Sequence, residues 1–86
     1  MSLVCQEVFL LFNKIIFAER LEAMRVQKGL TTVQLSREIG VSKQAISQFE
    51  KAANYPHVNT LTALADFFGV SIDYLVGRTD NPEINK

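Results

Sequence analysis

Between Gly40 and Ala52 the chain reads GVSKQAISQFEKA. Helical spacing puts Lys43, Gln44, Ser47 and Gln48 along one face of a short amphipathic segment. Lysine donates hydrogen bonds, glutamine donates through its nitrogen and accepts through its oxygen, and serine does both. A face made only to stay in water is more often Glu and Lys, so this one suits a surface that itself presents donors and acceptors. The plainer alternative is a solvated helix face.

Other chemistries find little support. Cys5 is the only cysteine and His57 the only histidine, and neither has a base, an orienting acid or a ligand-spaced partner nearby in sequence. His57 follows Pro56 in a loop and reads as a surface or phosphate-side residue. No zinc-binding spacing, glycine-rich nucleotide loop or catalytic constellation is present, so we expect no enzyme, no cofactor and no metal. One cysteine makes no internal disulfide, which favours a cytoplasmic protein.

A chain of 86 residues favours one domain with modest stability. The formal net charge is zero, but residues 14–51 hold seven bases and four acids, a local excess of +3, while residues 52–86 hold two bases and four acids. The basic share coincides with the helix-forming stretch quoted above. The N-terminal run VFLLFNKIIF is strongly apolar, yet Asn13 and Lys14 interrupt it well short of the roughly 20 residues of a membrane span. We therefore expect neither a membrane span nor a signal peptide.

The elements that position the polar face are helical. No run alternates like a half-buried strand, and Gly29, Gly40, Gly69 and Gly77 each follow a helical pattern, as helix-closing glycines do. The pattern predicts a first helix ending near Lys28, with Phe17, Leu21 and Met24 inward. A second spans about 32–39, opened by a Thr31–Gln34 capping box. A third spans about 43–52, capped by Ser42. A fourth spans about 60–68, capped by Asn59, with Leu61, Leu64, Ala65 and Phe68 inward. A fifth spans about 72–76, capped by Ser71. The tail RTDNPEINK reads as polar and frayed. Helices two and three are joined by only Gly40-Val41-Ser42. Ser36 is small where they cross, and Leu35, Ile39, Val41, Ile46 and Phe49 point inward. That combination is the pattern of a helix-turn-helix.

With these residues in place, the chain resembles the Cro/repressor-type (XRE-like) helix-turn-helix family. The resemblance runs from about Phe17 to Gly77, through FAERLEAMR, LTTVQLSREIGVSKQAISQFE, Pro56 and TLTALADFFGVSIDYLVG. The ending GVSIDYLVGRTDNP is similar to small repressors of Gram-positive bacteria and their phages. The resemblance implies an all-α, five-helix, lambda-repressor-like DNA-binding domain and a function as a sequence-specific transcriptional regulator, a repressor, whose partner is double-stranded DNA. Its third helix, 43–52, would lie in the major groove, where base edges present donors and acceptors.

In that register Lys43, Gln44, Ser47 and Gln48 are the expected base contacts. Gln44 can pair with adenine N6/N7, and Lys43 can donate to guanine O6/N7. Thr32, Arg25, Arg37, Lys51 and Asn54 are the expected phosphate contacts, Thr32 standing where relatives usually have Gln. Arg25 and Glu50 match a pair that forms a salt bridge in the family; the alternative is an exposed pair worth less than about 1 kcal/mol. After the third helix, Ala52 and Ala53 replace a usual glycine and a usual base, and Asn54 is left as the residue able to turn left-handed. Fewer phosphate contacts would make dimerisation more necessary.

Residues 1–16 lie outside the resemblance and form an apolar extension ahead of the domain at 17–77 and the polar tail at 78–86. Apolar residues cover more than one face of this segment, so it needs burial on several sides. We expect it to pair with a second copy through Val8, Leu11, Phe12 and Ile15, giving a homodimer on a palindromic operator; folding back on its own domain is the alternative. A competing function is a protein-interaction, antitoxin-like module that keeps the fold, favoured by the neutral charge and the Ala52-Ala53 loop. After the fifth helix about nine residues remain, so no small-molecule sensor is expected.

Overall fold

The computed structural model describes residues 2–83, with side chains from residue 14 onward. Five helices follow one another: α1 (Ser2–Gln27), α2 (Thr32–Ile39), α3 (Lys43–Glu50), α4 (Val58–Phe68) and α5 (Ile72–Leu75). Among the described residues there is no strand.

Every helix contributes to one core. Phe17 and Leu21 of α1 meet Leu35 of α2, Ile46 and Phe49 of α3, Leu61, Leu64 and Ala65 of α4, and Leu75 of α5. Burying each large apolar side chain contributes about 1.5–3 kcal/mol. Phe17 is fully buried, with the rings of Phe49 and Tyr55 edge-on to it at centroid distances of 6.1 and 5.2 Å. Met24, Ile39, Val41 and Phe68 pack half-buried around this centre. Leu75, Ala18, Tyr55 and Pro56 also turn inward, although no local pattern marks them.

The expected helices are present, with shifted ends. From Ser2 the apolar stretch is helical and runs on without a break into the rest of α1. The side chains of Val8, Leu11 and Phe12 lie outside the described residues. Ile15 is exposed, whereas Ile16 turns inward against Gly77, where an added Cβ would come within 2.7 Å of the Ile16 Cγ2. Helix α3 ends at Glu50 rather than Ala52, and α4 begins at Val58 with His57, not Asn59, at its N-cap. His57 makes no side-chain cap bond, and the Leu61 N–H reaches its carbonyl at 2.8 Å. Burial of Leu61, Leu64 and Ala65 starts this helix two residues ahead of the better capping side chain.

The tail also departs from expectation. Residues 78–83 are fastened to the domain instead of fraying. Arg20 of α1 donates to the carbonyls of Tyr74 and Thr79, the latter at 2.7 Å, and to Asp80 Oδ1 at 2.7 Å. Its guanidinium also lies over the Tyr74 ring, 4.2 Å from the centroid. The Ser71 N–H donates to the Pro82 carbonyl at 2.9 Å. One arginine, about 60 residues away in sequence, satisfies the carbonyls that would otherwise face water.

Candidate nucleic-acid interface

The local chemistry that sets α3 begins in α2. Thr31 and Gln34 form the reciprocal capping box: the Gln34 N–H donates to Thr31 Oγ1 at 3.1 Å, and the Thr31 N–H donates to Gln34 Oε1 at 2.8 Å. Ser36 is buried, and its hydroxyl donates to the Val33 carbonyl at 2.7 Å. Its small size lets α3 cross close by. Gly40 then turns left-handed, at φ 86°, and the Gly40 and Val41 N–H groups both close onto the Ser36 carbonyl. Ser42 is extended and its Oγ accepts from the Ala45 N–H at 3.0 Å, which opens α3.

Once started, α3 is held by Ile46 and Phe49, with half-buried Ala45 against the core. These positions force the opposite face outward. Lys43, Gln44 and Gln48 are exposed and Ser47 is half-buried. The structure therefore brings the four residues together on one outward edge of α3. Lys51, beyond the helix, is exposed, as are Arg37 in the last turn of α2 and Asn54 in the loop that follows α3. Thr32 is half-buried at the first position of α2, next to the free backbone N–H groups of that helix start.

Arg25 and Glu50 lock α1 to α3. Arg25 Nε donates to Glu50 Oε2 at 2.6 Å and Nη2 to Oε1 at 3.1 Å, a two-pronged bond, while Nη1 donates to the Leu30 carbonyl at 2.7 Å. The side chains are 15% and 7% exposed, so this is a largely buried pair and not a solvated surface contact. The bond to Glu50 raises the Arg25 pKa, against the opposing pull of burial. Arg25 thus spends three of its N–H groups inside the protein and keeps one on each terminal nitrogen.

The chain leaves α3 differently from the sequence expectation. The left-handed residue is Ala52, at φ 58°, and not Asn54. The Ala53 N–H closes onto the Gln48 carbonyl at 2.9 Å and the Ala52 N–H onto that of Phe49 at 3.2 Å. That pair of bonds requires the left-handed residue immediately after the cap, at 52 whatever its side chain. Asn54 acts elsewhere: its Oδ1 accepts from the Tyr55 N–H at 3.0 Å, and its Nδ2 lies 3.5 Å from Gln48 Oε1. This contact was not read from the sequence, and no spacing rule marks it.

Residues 21–75 match the helix-turn-helix family model. The chain belongs to this family of Cro/repressor-type, XRE-like helix-turn-helix domains, whose members bind DNA. It is similar to the uncharacterized HTH-type transcriptional regulator YobD of Bacillus subtilis (strain 168), at 34% identity over 78% of this chain and 60% of the relative. It is similar to the HTH-type transcriptional activator BcrR of Enterococcus faecalis, at 40% identity over 70% of this chain and 29% of the relative. It is also similar to the immunity repressor protein of Bacillus phage phi105, at 30% identity over 70% of this chain and 42% of that protein. The chain matches at most 60% of the length of these three relatives. Among the described residues no helix is long and apolar enough to cross a membrane, and no group of His, Cys, Asp or Glu is placed to hold a metal ion.

Proposed function

We propose that the chain is a sequence-specific DNA-binding transcriptional regulator, a repressor, that reads the major groove with α3. The observation that carries this is the outward edge of Lys43, Gln44, Ser47 and Gln48 on a helix whose start is capped by Ser42 and whose back is buried through Ile46 and Phe49. Donor and acceptor side chains on a rigidly seated helix are what base-edge recognition needs. Gln44 takes the leading base contact, Lys43 a guanine or a phosphate, and Ser47 and Gln48 a neighbouring base or the backbone. Thr32 at the start of α2, with Arg37, Lys51, Asn54 and the free N–H groups of Arg25, takes phosphates and fixes register. Repression is chosen over activation from the likeness to phage-type repressors, although one relative is named an activator. Such a regulator works where chromosomal DNA lies, in the cytoplasm.

A neutral chain gains little from non-specific electrostatics, so two linked copies would supply the affinity. We place the dimer contact on the N-terminal part of α1, through Val8, Leu11, Phe12 and exposed Ile15, and the operator is then palindromic, with half-sites about 34 Å apart. Light scattering on the full chain should give twice the monomer mass, and Leu11→Glu should halve it.

The function is tested by selecting random-sequence duplex DNA with the full chain at near-physiological salt, beside Gln44→Ala. A palindromic motif that weakens in Gln44→Ala is the expected result. No enrichment would contradict base reading and favour a protein-interaction module.

A further inference from the structure

We propose that Asn54 sets the hydrogen-bonding sense of Gln48, so that Gln48 offers its amide N–H groups to the groove and selects a base edge that accepts, guanine O6/N7 or thymine O4. This rests on the reading of α3 as the base-reading helix and adds to it a positioning residue outside that helix. A free glutamine has no such preference, because it can meet adenine with its oxygen and nitrogen together.

The sense is forced one step at a time. Tyr55 is half-buried, its ring edge-on to Phe17 at 5.2 Å, and Pro56 after it is buried, so the backbone at 55 is anchored in the core. Asn54 Oδ1 accepts from that anchored Tyr55 N–H at 3.0 Å. The oxygen of Asn54 is thereby turned back onto its own backbone, and Nδ2 is turned towards α3. Nδ2 can only donate, so the atom of Gln48 that faces it, at 3.5 Å, is the acceptor Oε1. The Nε2 of Gln48 is on the other side of the same amide, on an exposed side chain. The backbone strengthens the arrangement: Ala52 turns left-handed and the Ala53 N–H closes onto the Gln48 carbonyl, which folds the loop back beside the residue it orients.

The test is duplex selection and sequencing with four full-length chains: wild type, Gln48→Ala, Asn54→Ala and Asn54→Asp. Gln48→Ala identifies the operator position that Gln48 reads, as the position that loses its preference. There the wild type should favour guanine or thymine. Asn54→Ala should cut that preference on the order of tenfold towards adenine; the phosphate contact it also loses weakens binding to all sequences alike and leaves relative base frequencies at other positions readable. Asn54→Asp replaces a donor with an acceptor, turns the Gln48 amide round, and should bring adenine or cytosine, which donate from N6 or N4, to that position. Its added charge weakens binding to all sequences alike and leaves relative base frequencies readable. Circular dichroism confirms the fold of each variant. The inference is overturned if both Asn54 variants keep the wild-type base frequencies, if the wild type prefers adenine there, or if Gln48→Ala changes no position. Failure of the wild type to enrich any motif would instead remove the DNA-reading function itself.

Discussion

The turns on either side of α3 are built alike and made of different residues. Before it, Gly40 is left-handed at φ 86° and the Val41 N–H closes onto Ser36; after it, Ala52 is left-handed at φ 58° and the Ala53 N–H closes onto Gln48. The same closure ends all five helices, and the left-handed position holds glycine in four of them. Only the exit from the helix we assign to base reading places a Cβ there, at a cost of about 1–2 kcal/mol. A left-handed alanine persists only where its surroundings over-determine it. Here they are buried Phe49 before it, Tyr55 and Pro56 after it, and the two closing bonds between. Entry is thus set by residues suited to their conformation, and exit by its neighbours.

The largest way to break this arrangement is through the clamp that ties α3 to α1. Arg25→Ala should cost about 3 kcal/mol in urea unfolding, because it strands the nearly buried Glu50 carboxylate and frees the Leu30 carbonyl. A double replacement by Met and Leu should recover most of that loss.

The two turns can then be tested against each other with reciprocal changes. Gly40→Ala should lose about 1–2 kcal/mol; nothing lies within 4 Å of the added Cβ, so the loss is one of backbone conformation alone. Ala52→Gly should instead gain about 0.5–1 kcal/mol, relief of the left-handed strain outweighing the freer unfolded chain. Opposite signs in thermal or urea unfolding support the comparison. Equal signs contradict it.

The smallest effect is one of pH. Burial raises the Tyr55 pKa above its ordinary 10.0. The folded state therefore keeps this proton where the unfolded state loses it. Its contribution is whole below about pH 10 and is lost as pH rises through the folded-state pKa. Tyr55→Phe should flatten that part of the stability curve in alkaline buffer and leave the neutral range unchanged.

Much of this was legible because it is local. Thr31 with Gln34, Ser42, Ser71 and the closing glycines announce helix ends through contacts within a few residues. The apolar spacing of Phe17 and Leu21, of Ile46 and Phe49, and of Leu61 and Leu64 announces the core. The cluster Lys43, Gln44, Ser47 and Gln48 could be placed on an outward edge for the same reason. What was not legible depends partly on distance and partly on how the chain leaves α3. Arg20 finds the tail across about 60 residues, and Leu75 joins a core built mainly by earlier helices. Ala52 takes a conformation its own side chain disfavours, held by the closing bonds to Phe49 and Gln48 and by its buried neighbours. Asn54 reads as a turn former, and its hydrogen bonds to Tyr55 and Gln48 appear only once the loop has folded back.

The most direct test of the central claim, that α3 reads the major groove, is dimethyl sulfate protection on the duplex the wild-type chain selects. The reagent methylates guanine N7 in the major groove and adenine N3 in the minor groove. Guanine N7 protection at the motif positions is expected, with adenine N3 still reactive there. Protection confined to adenine N3, or none at saturating protein, would contradict it.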